Sequence, residues 1–216
     1  EEGLFSEAVT AYREALLVWT RQQRPQQWAM AQNNLARAYY NLKEWANAAE
    51  CYENVLQVYP DFRPAYERAR FLEHEVLFNY QRAFRLTESW LQRNPNDLLA
   101  AANFAESHFT TGRFAELSNV KTSIPLRAVE ISNLIALNRS AEVPAKIKDL
   151  IKALESQPAD FKVEWSFAGT KHFISQSEQF TASRAWLLGL FEAMGGENRD
   201  FILKRVKALK SWEKSN

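Results

Sequence analysis

Cysteine, glycine and proline are scarce in this 216-residue chain, which contains one cysteine, six glycines and seven prolines. A single cysteine excludes an internal disulfide and a zinc site built from several cysteines. The shortage of glycine and proline argues against a turn-rich all-β protein. The longest uninterrupted apolar stretch covers residues 185–191, whereas a membrane-spanning helix needs roughly 20 residues. We therefore expect no membrane partner.

Positive and negative charges nearly cancel, with 27 basic and 26 acidic side chains and a formal net charge of +1. This balance gives no electrostatic reason to expect nucleic acid as a partner. Lys204, Lys207, Lys210 and Lys214 follow one side of the last predicted helix and could hold phosphate or an acidic partner, although cations are also favoured near helix C-termini. The charged opening of the chain does not resemble a secretory signal, and we expect a cytoplasmic protein.

Alanine and leucine dominate the composition, with 29 and 23 residues, and both favour helix. The chain also repeats itself. An offset of 40 residues places Tyr12 on Tyr52, and an offset of 69 places residues 34–36 on residues 103–105. The second offset equals two units of roughly 34 residues, and a unit of that length accommodates one helix hairpin.

The clearest copy of the repeat covers residues 29–60. In it, Ala36 and Ala48 are small where two helices would cross closely, Tyr39 and Trp45 would fill the space between the helices, and Pro60 would stop the second helix. These residues resemble the tetratricopeptide repeat, and the 40-residue offset is similar to the longer repeats of kinesin light chain. The resemblance implies an all-α fold, a right-handed solenoid of helix hairpins.

We expect tetratricopeptide-like repeats over residues 1–122. The first repeat contains only its second helix, and the repeat over residues 63–95 fits the pattern only if one or two residues are inserted. A half-unit cannot bury its apolar face alone, so we expect the chain to be a segment of a longer protein. A trimmed form of a small protein is the alternative.

In residues 123–216 the helical periodicity continues although the repeat register is lost. Pro125 and Pro144 each suit the first turn of a helix. These helices are either diverged repeats that continue the solenoid, which we favour, or a helical bundle that caps it.

Farther along, residues 182–194 are predicted to form a nearly apolar, buried helix that the Gly195-Gly196 pair ends, followed by a last helix over residues 199–213. Between the two groups of helices, the apolar residues after Pro158 predict a helix. The alternation over residues 162–167 leaves a short strand open, and residues 169–178 are predicted to form a loop.

Motifs for chemistry are absent from the sequence. No glycine-rich nucleotide loop occurs, and no cofactor or metal is predicted. Cys51 occupies a small position of the repeat and is expected to be a buried, inert thiol. His108 falls on a packed aromatic position, His74 is expected at the surface between solvated carboxylates, and His172 lies in the predicted loop. We expect no enzyme. The alternative is an enzyme or effector in which His172 contributes to a site.

The candidate binding residues follow from the resemblance, since the first helix of each tetratricopeptide unit lines a groove. In the repeat at residues 29–60, the groove positions offer amides, a guanidinium and an aromatic ring, which suit a peptide backbone with an acidic or aromatic side chain. The residues carried over are Asn33, Asn34, Arg37, Tyr40 and Asn41 in that repeat and Asn103, Glu106 and Phe109 in the later one.

The resemblance implies a scaffold or sensor segment that binds another protein, through a peptide or a partner helix laid in the groove. Two simpler possibilities stay open. The polar groove residues merely face solvent, or exposed ends of the repeat array stack on one another and make the chain self-associate.

Overall fold

The computed structural model describes residues 2–119 and 123–209, and within these ranges it contains helices but no strand. The predicted all-α class is confirmed. The chain divides into two compact units, Glu1–Ala100 and Ala101–Asn216. No helix of the described ranges is long and apolar enough to cross a membrane.

The first unit is built from helices that each pack on the next one in chain order, as expected for a repeat protein. The second and third of these helices form the hairpin predicted for the clearest repeat. The helices of this unit are α1 (Glu2–Val18), α2 (Pro25–Asn41), α3 (Trp45–Leu56), α4 (Arg63–Phe71) and α5 (Tyr80–Arg93).

Small residues sit where α2 and α3 cross. Ala36 and Ala48 are completely buried, and Leu35, Tyr39 and Tyr52 are buried around them. Burial of each large side chain contributes about 1.5–3 kcal/mol, and the alanines permit the close approach that makes this burial possible. The predicted packing of the hairpin is confirmed.

The end of α3 differs slightly from the expectation that Pro60 stops it. The helix ends at Leu56, and the amides of Val58 and Tyr59 both donate to the carbonyl of Val55, which tightens the last turn. Pro60 therefore lies in the turn that leads to α4.

The irregularity predicted in the third repeat is a π-helical turn at Leu72–Val76, directly after α4. A π turn accommodates an extra residue without ending a helix. Ala69 of α4, Leu72 at the start of the π turn and Ala83 of α5 are all completely buried. The turn therefore absorbs the insertion and restores the inward face of the hairpin.

The π turn also corrects the expectation that His74 lies at the surface between solvated carboxylates. Glu73, His74 and Glu75 are all buried, because the turn points them into the unit. Nδ1 of His74 lies 2.7 Å from Oε1 of Glu75, and Arg70 lies 3.9 Å from the same oxygen.

The division between the two units falls inside helix α6 (Leu98–Thr110). The sequence predicted a boundary after residue 122, and residues 120–122 lie outside the described ranges. Ala100 belongs to a cluster with Tyr66 and Trp90 of the first unit. Ala105 and Phe109 belong to the core of the second unit. The two ends of α6 thus serve different cores.

The second unit contains two helix hairpins. α7 packs on α8 and α10 on α11, while α10 also contacts α7 and α11 contacts α8, so one hairpin is layered on the other. The helices are α7 (Ile124–Ala136), α8 (Val143–Glu155), α9 (Ala168–Gln176), α10 (Arg184–Met194) and α11 (Arg199–Ala208), with 3-10 turns at Phe114–Asn119, Ser140–Glu142 and Glu178–Phe180.

Two predictions for the connection between these hairpins are wrong. Residues 161–167 form neither helix nor strand, although their side chains alternate between half-buried or buried and exposed. The predicted loop at residues 169–178 is mostly the helix α9, in which Thr170 and Ile174 are completely buried. This nine-residue helix begins Ala-Gly-Thr, a weak helical sequence, so tertiary packing rather than propensity stabilises it.

The Gly195-Gly196 pair follows α10 as predicted. Close packing, rather than an unusual backbone conformation, requires glycine here. Gly195 has φ −78°, which any residue adopts. A Cβ on Gly196 would lie 2.6 Å from Cγ1 of Ile202, so this glycine lets α11 approach closely. Of the predicted last helix, residues 210–213 lie outside the described ranges, as do Lys210 and Lys214.

Candidate binding surface

The five candidate residues of the clearest repeat share one accessible face of α2. Asn33, Asn34 and Tyr40 are half-buried, and Arg37 and Asn41 are exposed. Their spacing of one, three or four residues places them on the same side of the helix. Three shallow hollows lie along this face.

The first, which we call the arginine hollow, has a volume of about 300 Å³. Arg37 of α2 and Arg68 of α4 both line it. The Arg68 guanidinium lies 5.2 Å from the centre of the Tyr40 ring, and Tyr40 in turn contacts Trp45 edge to face. The full lining comprises Asn33, Arg37, Tyr40, Asn41, Tyr52, Phe62, Pro64 and Arg68.

The electrostatics of the arginine hollow favour an anion. Burial raises the pKa of Tyr52, and the positive charges of Arg68 and Arg37 oppose that shift, so both guanidinium groups act on the same hydroxyl. Within residues 2–119 and 123–209, no carboxylate lies within 4.0 Å of either guanidinium. Guanidinium pairs of this kind bind carboxylates strongly, through charge-assisted hydrogen bonds.

The second hollow, the apolar hollow, adjoins the first because Asn33 and Phe62 line both. Its volume is about 380 Å³. Met30 is 65% exposed, Tyr59 41% and Phe62 39%, so three large apolar side chains remain open to solvent. The full lining comprises Ala29, Met30, Asn33, Asn34, Val55, Tyr59 and Phe62.

The third hollow lies on the α1 side of the same face and has a volume of about 230 Å³. Asn34, Arg37 and Asn41 of α2 line it together with Phe5 and Tyr12 of α1. Nδ2 of Asn41 donates one hydrogen bond to the carbonyl of Arg37 at 2.7 Å. All five candidates on α2 therefore border at least one hollow.

The three candidates on α6 do not face a groove, and this prediction is wrong. Glu106 and Phe109 are completely buried and Asn103 is 6% exposed. Oε1 of Glu106 accepts a hydrogen bond from Thr170 at 2.6 Å, and its Oε2 accepts one from the Trp165 indole at 3.1 Å. The chain from residue 161 onward therefore covers this face of α6.

Aromatic neighbours from the same part of the chain bury Phe109. Its ring contacts Phe173 of α9 edge to face at 5.5 Å and Phe180 at 5.6 Å. Glu106 and Phe109 have no accessible surface and Asn103 has little, so these three side chains belong to the buried interior of the second unit and not to a groove.

Sequence reasoning missed Arg68 and Pro64, although a signal for both exists. They occupy groove positions in the first helix of the irregular third repeat. The extra residues of that repeat enter only at the π turn, after α4, so the groove pattern holds up to Phe71. Tyr59 and Phe62 lie in the turn between repeats, for which the groove pattern makes no prediction.

Two of the remaining candidates for chemistry, Cys51 and His108, are packing residues. Cys51 is buried, as predicted, and burial raises the pKa of its thiol to about 12, so it stays protonated at neutral pH. His108 packs edge to face on Phe104 at 4.3 Å, which confirms the packed aromatic. His172 is half-buried on α9 rather than in a loop.

The tetratricopeptide repeat family model matches residues 29–62. No curated protein shows a significant match to the chain. The matched segment contains most of α2, the whole of α3 and the turn to α4, and hence every residue of the apolar hollow. Residues 29–62 therefore have both the sequence pattern and the helix hairpin that are typical of a tetratricopeptide repeat.

Proposed function

We propose that the chain is a protein–protein interaction module of the cytoplasm, a scaffold or sensor segment with no chemistry of its own. It binds a peptide segment of a partner along α2, in the arginine hollow and the apolar hollow. The observation that carries the proposal is the pair Arg37 and Arg68, which share one hollow without a carboxylate partner among the described residues, beside open apolar side chains.

The chemistry of the two hollows defines the ligand. An aspartate or glutamate fits the arginine hollow, where both guanidinium groups and the Tyr52 hydroxyl are donors. A large apolar side chain fits the apolar hollow, where Met30 adapts to its shape. Asn33 borders both hollows, so its amide is placed to bind the peptide backbone between the two side chains.

The test is a peptide array in which one glutamate and one leucine or tryptophan are separated by one to six residues. We expect the wild-type chain to select peptides with both residues at one preferred separation. Removal of both guanidinium groups in Arg37→Ala/Arg68→Ala should lower the affinity about tenfold or more, because charge-assisted hydrogen bonds contribute roughly 1.5–3 kcal/mol each.

Charge reversal makes the same test sharper. Arg37→Glu/Arg68→Glu should shift the selection from glutamate to lysine and leave the apolar preference in place. Arg85→Glu is the matched control, because Arg85 is exposed on α5 and lines neither hollow. If the reversed and the wild-type chains selected the same peptides, the arginine hollow would not be the binding site.

A second candidate function, self-association, is favoured by the surface of α1. No residue of this helix is buried, and Leu4, Leu17 and Val18 are 69%, 82% and 70% exposed. We propose that two copies pair through the face of α1 that carries Leu4 and Val18. Light scattering over a hundredfold range of concentration should show a dimer that Leu4→Lys/Val18→Lys abolishes; a constant monomer mass in the wild-type chain would exclude the pairing.

A further inference from the structure

The second unit contains a cavity that plays no part in the proposed peptide site. It has a volume of about 230 Å³ and opens to solvent beside α7. We call it the α7 cavity. Its lining comprises Ala105, Leu117, Leu126, Val129, Glu130, Asn133, Leu134, Leu137, Arg139, Glu142 and Lys146.

The inner wall of the α7 cavity is apolar. Ala105, Leu126, Val129 and Leu134 are each no more than 5% exposed and belong to the core of the unit. A dry apolar cavity of about 150 Å³ already holds a molecule of benzene. The α7 cavity is larger, so it has room for a flat bicyclic molecule.

One polar side chain in this wall has an unused acceptor. Asn133 is 5% exposed, and its Nδ2 donates to the carbonyl of Phe114 at 3.0 Å. Its Oδ1 is buried and accepts no hydrogen bond from any residue in the described ranges. A buried carbonyl oxygen without a donor destabilises the folded chain, and a ligand with one N–H or O–H group would supply that donor.

The rim of the cavity carries two positive and two negative side chains, whose charges cancel. Lys146 pairs with Glu130, and Arg139 pairs with Glu142 through two hydrogen bonds of 2.6 and 2.8 Å. Because every charge at the rim already has its counter-charge, the rim offers no net attraction for an ion. The ligand that fits wall and rim together is uncharged.

We propose that the α7 cavity binds a small, uncharged aromatic molecule that carries one hydrogen-bond donor, of the indole or phenol class. The ring occupies the space between Leu126, Val129 and Leu134. The N–H or O–H group donates to Oδ1 of Asn133, and the edge of the ring lies under Leu137 at the mouth.

The test uses indole and indene, which have nearly the same shape but differ in the N–H group. Ligand-observed NMR and calorimetry on the whole wild-type chain should show that indole binds at least about fivefold more tightly than indene, since a neutral hydrogen bond to a buried acceptor is of that size. Equal affinities, or no binding of either probe at millimolar concentration, would overturn the proposal. This comparison needs no variant.

Two variants locate the bound probe. Leu137→Trp fills the mouth of the cavity from a half-exposed position and should abolish indole binding with an unchanged circular dichroism spectrum. Asn133→Leu should reduce the preference for indole over indene to about unity. Indole binding that survives Leu137→Trp would place the probe elsewhere and overturn the proposal. The peptide array tests the proposed peptide site separately from this cavity, because no residue of the arginine hollow or the apolar hollow lines the α7 cavity.

Discussion

Helix α2 of the first unit and helix α6 carry the same groove pattern with opposite results. At an offset of 69 residues, Arg37 corresponds to Glu106 and Tyr40 to Phe109. On α2 these side chains are exposed or half-buried and border open hollows. On α6 they are completely buried, because Trp165, Thr170, Phe173 and Phe180 contact them.

The difference shows that a groove position becomes a binding position only if the rest of the chain leaves it open. The inserted chain between the hairpins of the second unit supplies an indole, a hydroxyl and two phenylalanine rings to α6. These groups provide what a bound partner would provide: donors for a carboxylate and apolar surface for a ring. The second unit therefore satisfies its own groove residues, whereas the corresponding residues of the first unit stay open to solvent.

The largest expected effect contrasts two corresponding aromatic residues. Phe109→Ala should lower the free energy of unfolding by about 3–5 kcal/mol, the usual cost of deleting a buried phenylalanine ring. Tyr40→Ala should cost about 1 kcal/mol, because Tyr40 is half-buried and leaves no closed cavity. Urea unfolding followed by circular dichroism measures both. Equal costs would mean that the two helix faces are equally covered.

The next effect contrasts the corresponding charged residues. Glu106→Ala leaves the Thr170 hydroxyl and the Trp165 indole N–H without their acceptor, and we expect a loss of about 2–4 kcal/mol. Arg37→Ala should change the stability by less than about 0.5 kcal/mol, because Arg37 is exposed. Glu197→Ala, an exposed carboxylate of the same unit, is the control for charge. A Glu106→Ala loss no larger than that of Glu197→Ala would contradict the buried contacts.

The fold of the first unit could largely be predicted from the sequence, because its signals are local. Small residues at helix crossings and aromatic residues between them repeat at a fixed spacing, and the structure places Ala36, Ala48, Tyr39 and Tyr52 as that spacing requires. Even the insertion in the third repeat was visible. Its form, a π turn that buries Glu73, His74 and Glu75, was not, because charged residues in sequence indicate solvent unless their partners are known.

The site was predictable only in part, for a related reason. The five candidates on α2 follow from one helix and its repeat pattern. The burial of the candidates on α6 depends on contacts across more than fifty residues, such as the one between Glu106 and Thr170. Residues 161–167 gave only an alternating pattern, and α9 has weak intrinsic propensity, so no local signal indicated that they cover a helix.

A third prediction concerns a buried carboxylate of the first unit, Glu73, which lies beside the carboxylate of Glu53. Burial raises the pKa of Glu73 to about 7; the positive charge of Arg82 opposes the shift and the negative charge of Glu53 adds to it. Between the ordinary value of 4.5 and about 7, the folded chain holds a proton that the unfolded chain has released. The free energy of unfolding should therefore fall as pH rises through this window, by about 1–3 kcal/mol.

Urea unfolding at pH 5 and pH 7.5 measures this dependence. Glu73→Gln should flatten the stability profile between the two values, because a neutral amide replaces the protonated carboxyl. Nε of Arg82 lies 2.8 Å from Oε1 of Glu53 and 3.5 Å from Oε1 of Glu73, so Arg82→Gln should raise the pKa of Glu73 further and steepen the loss at pH 7.5. A wild-type profile as flat as that of Glu73→Gln would contradict the shifted pKa.

The smallest expected effect tests the contact that closes the α6 face. Trp165→Phe keeps an aromatic ring against the core but removes the N–H that donates to Glu106, and we expect a loss of about 1 kcal/mol. Trp28→Phe is the matched control, because Trp28 is also half-buried and its indole donates to no residue in the described ranges. If both changes cost the same, packing alone covers α6. An excess loss at residue 165 that disappears when Glu106 is already alanine would show that the indole and the carboxylate act as a pair.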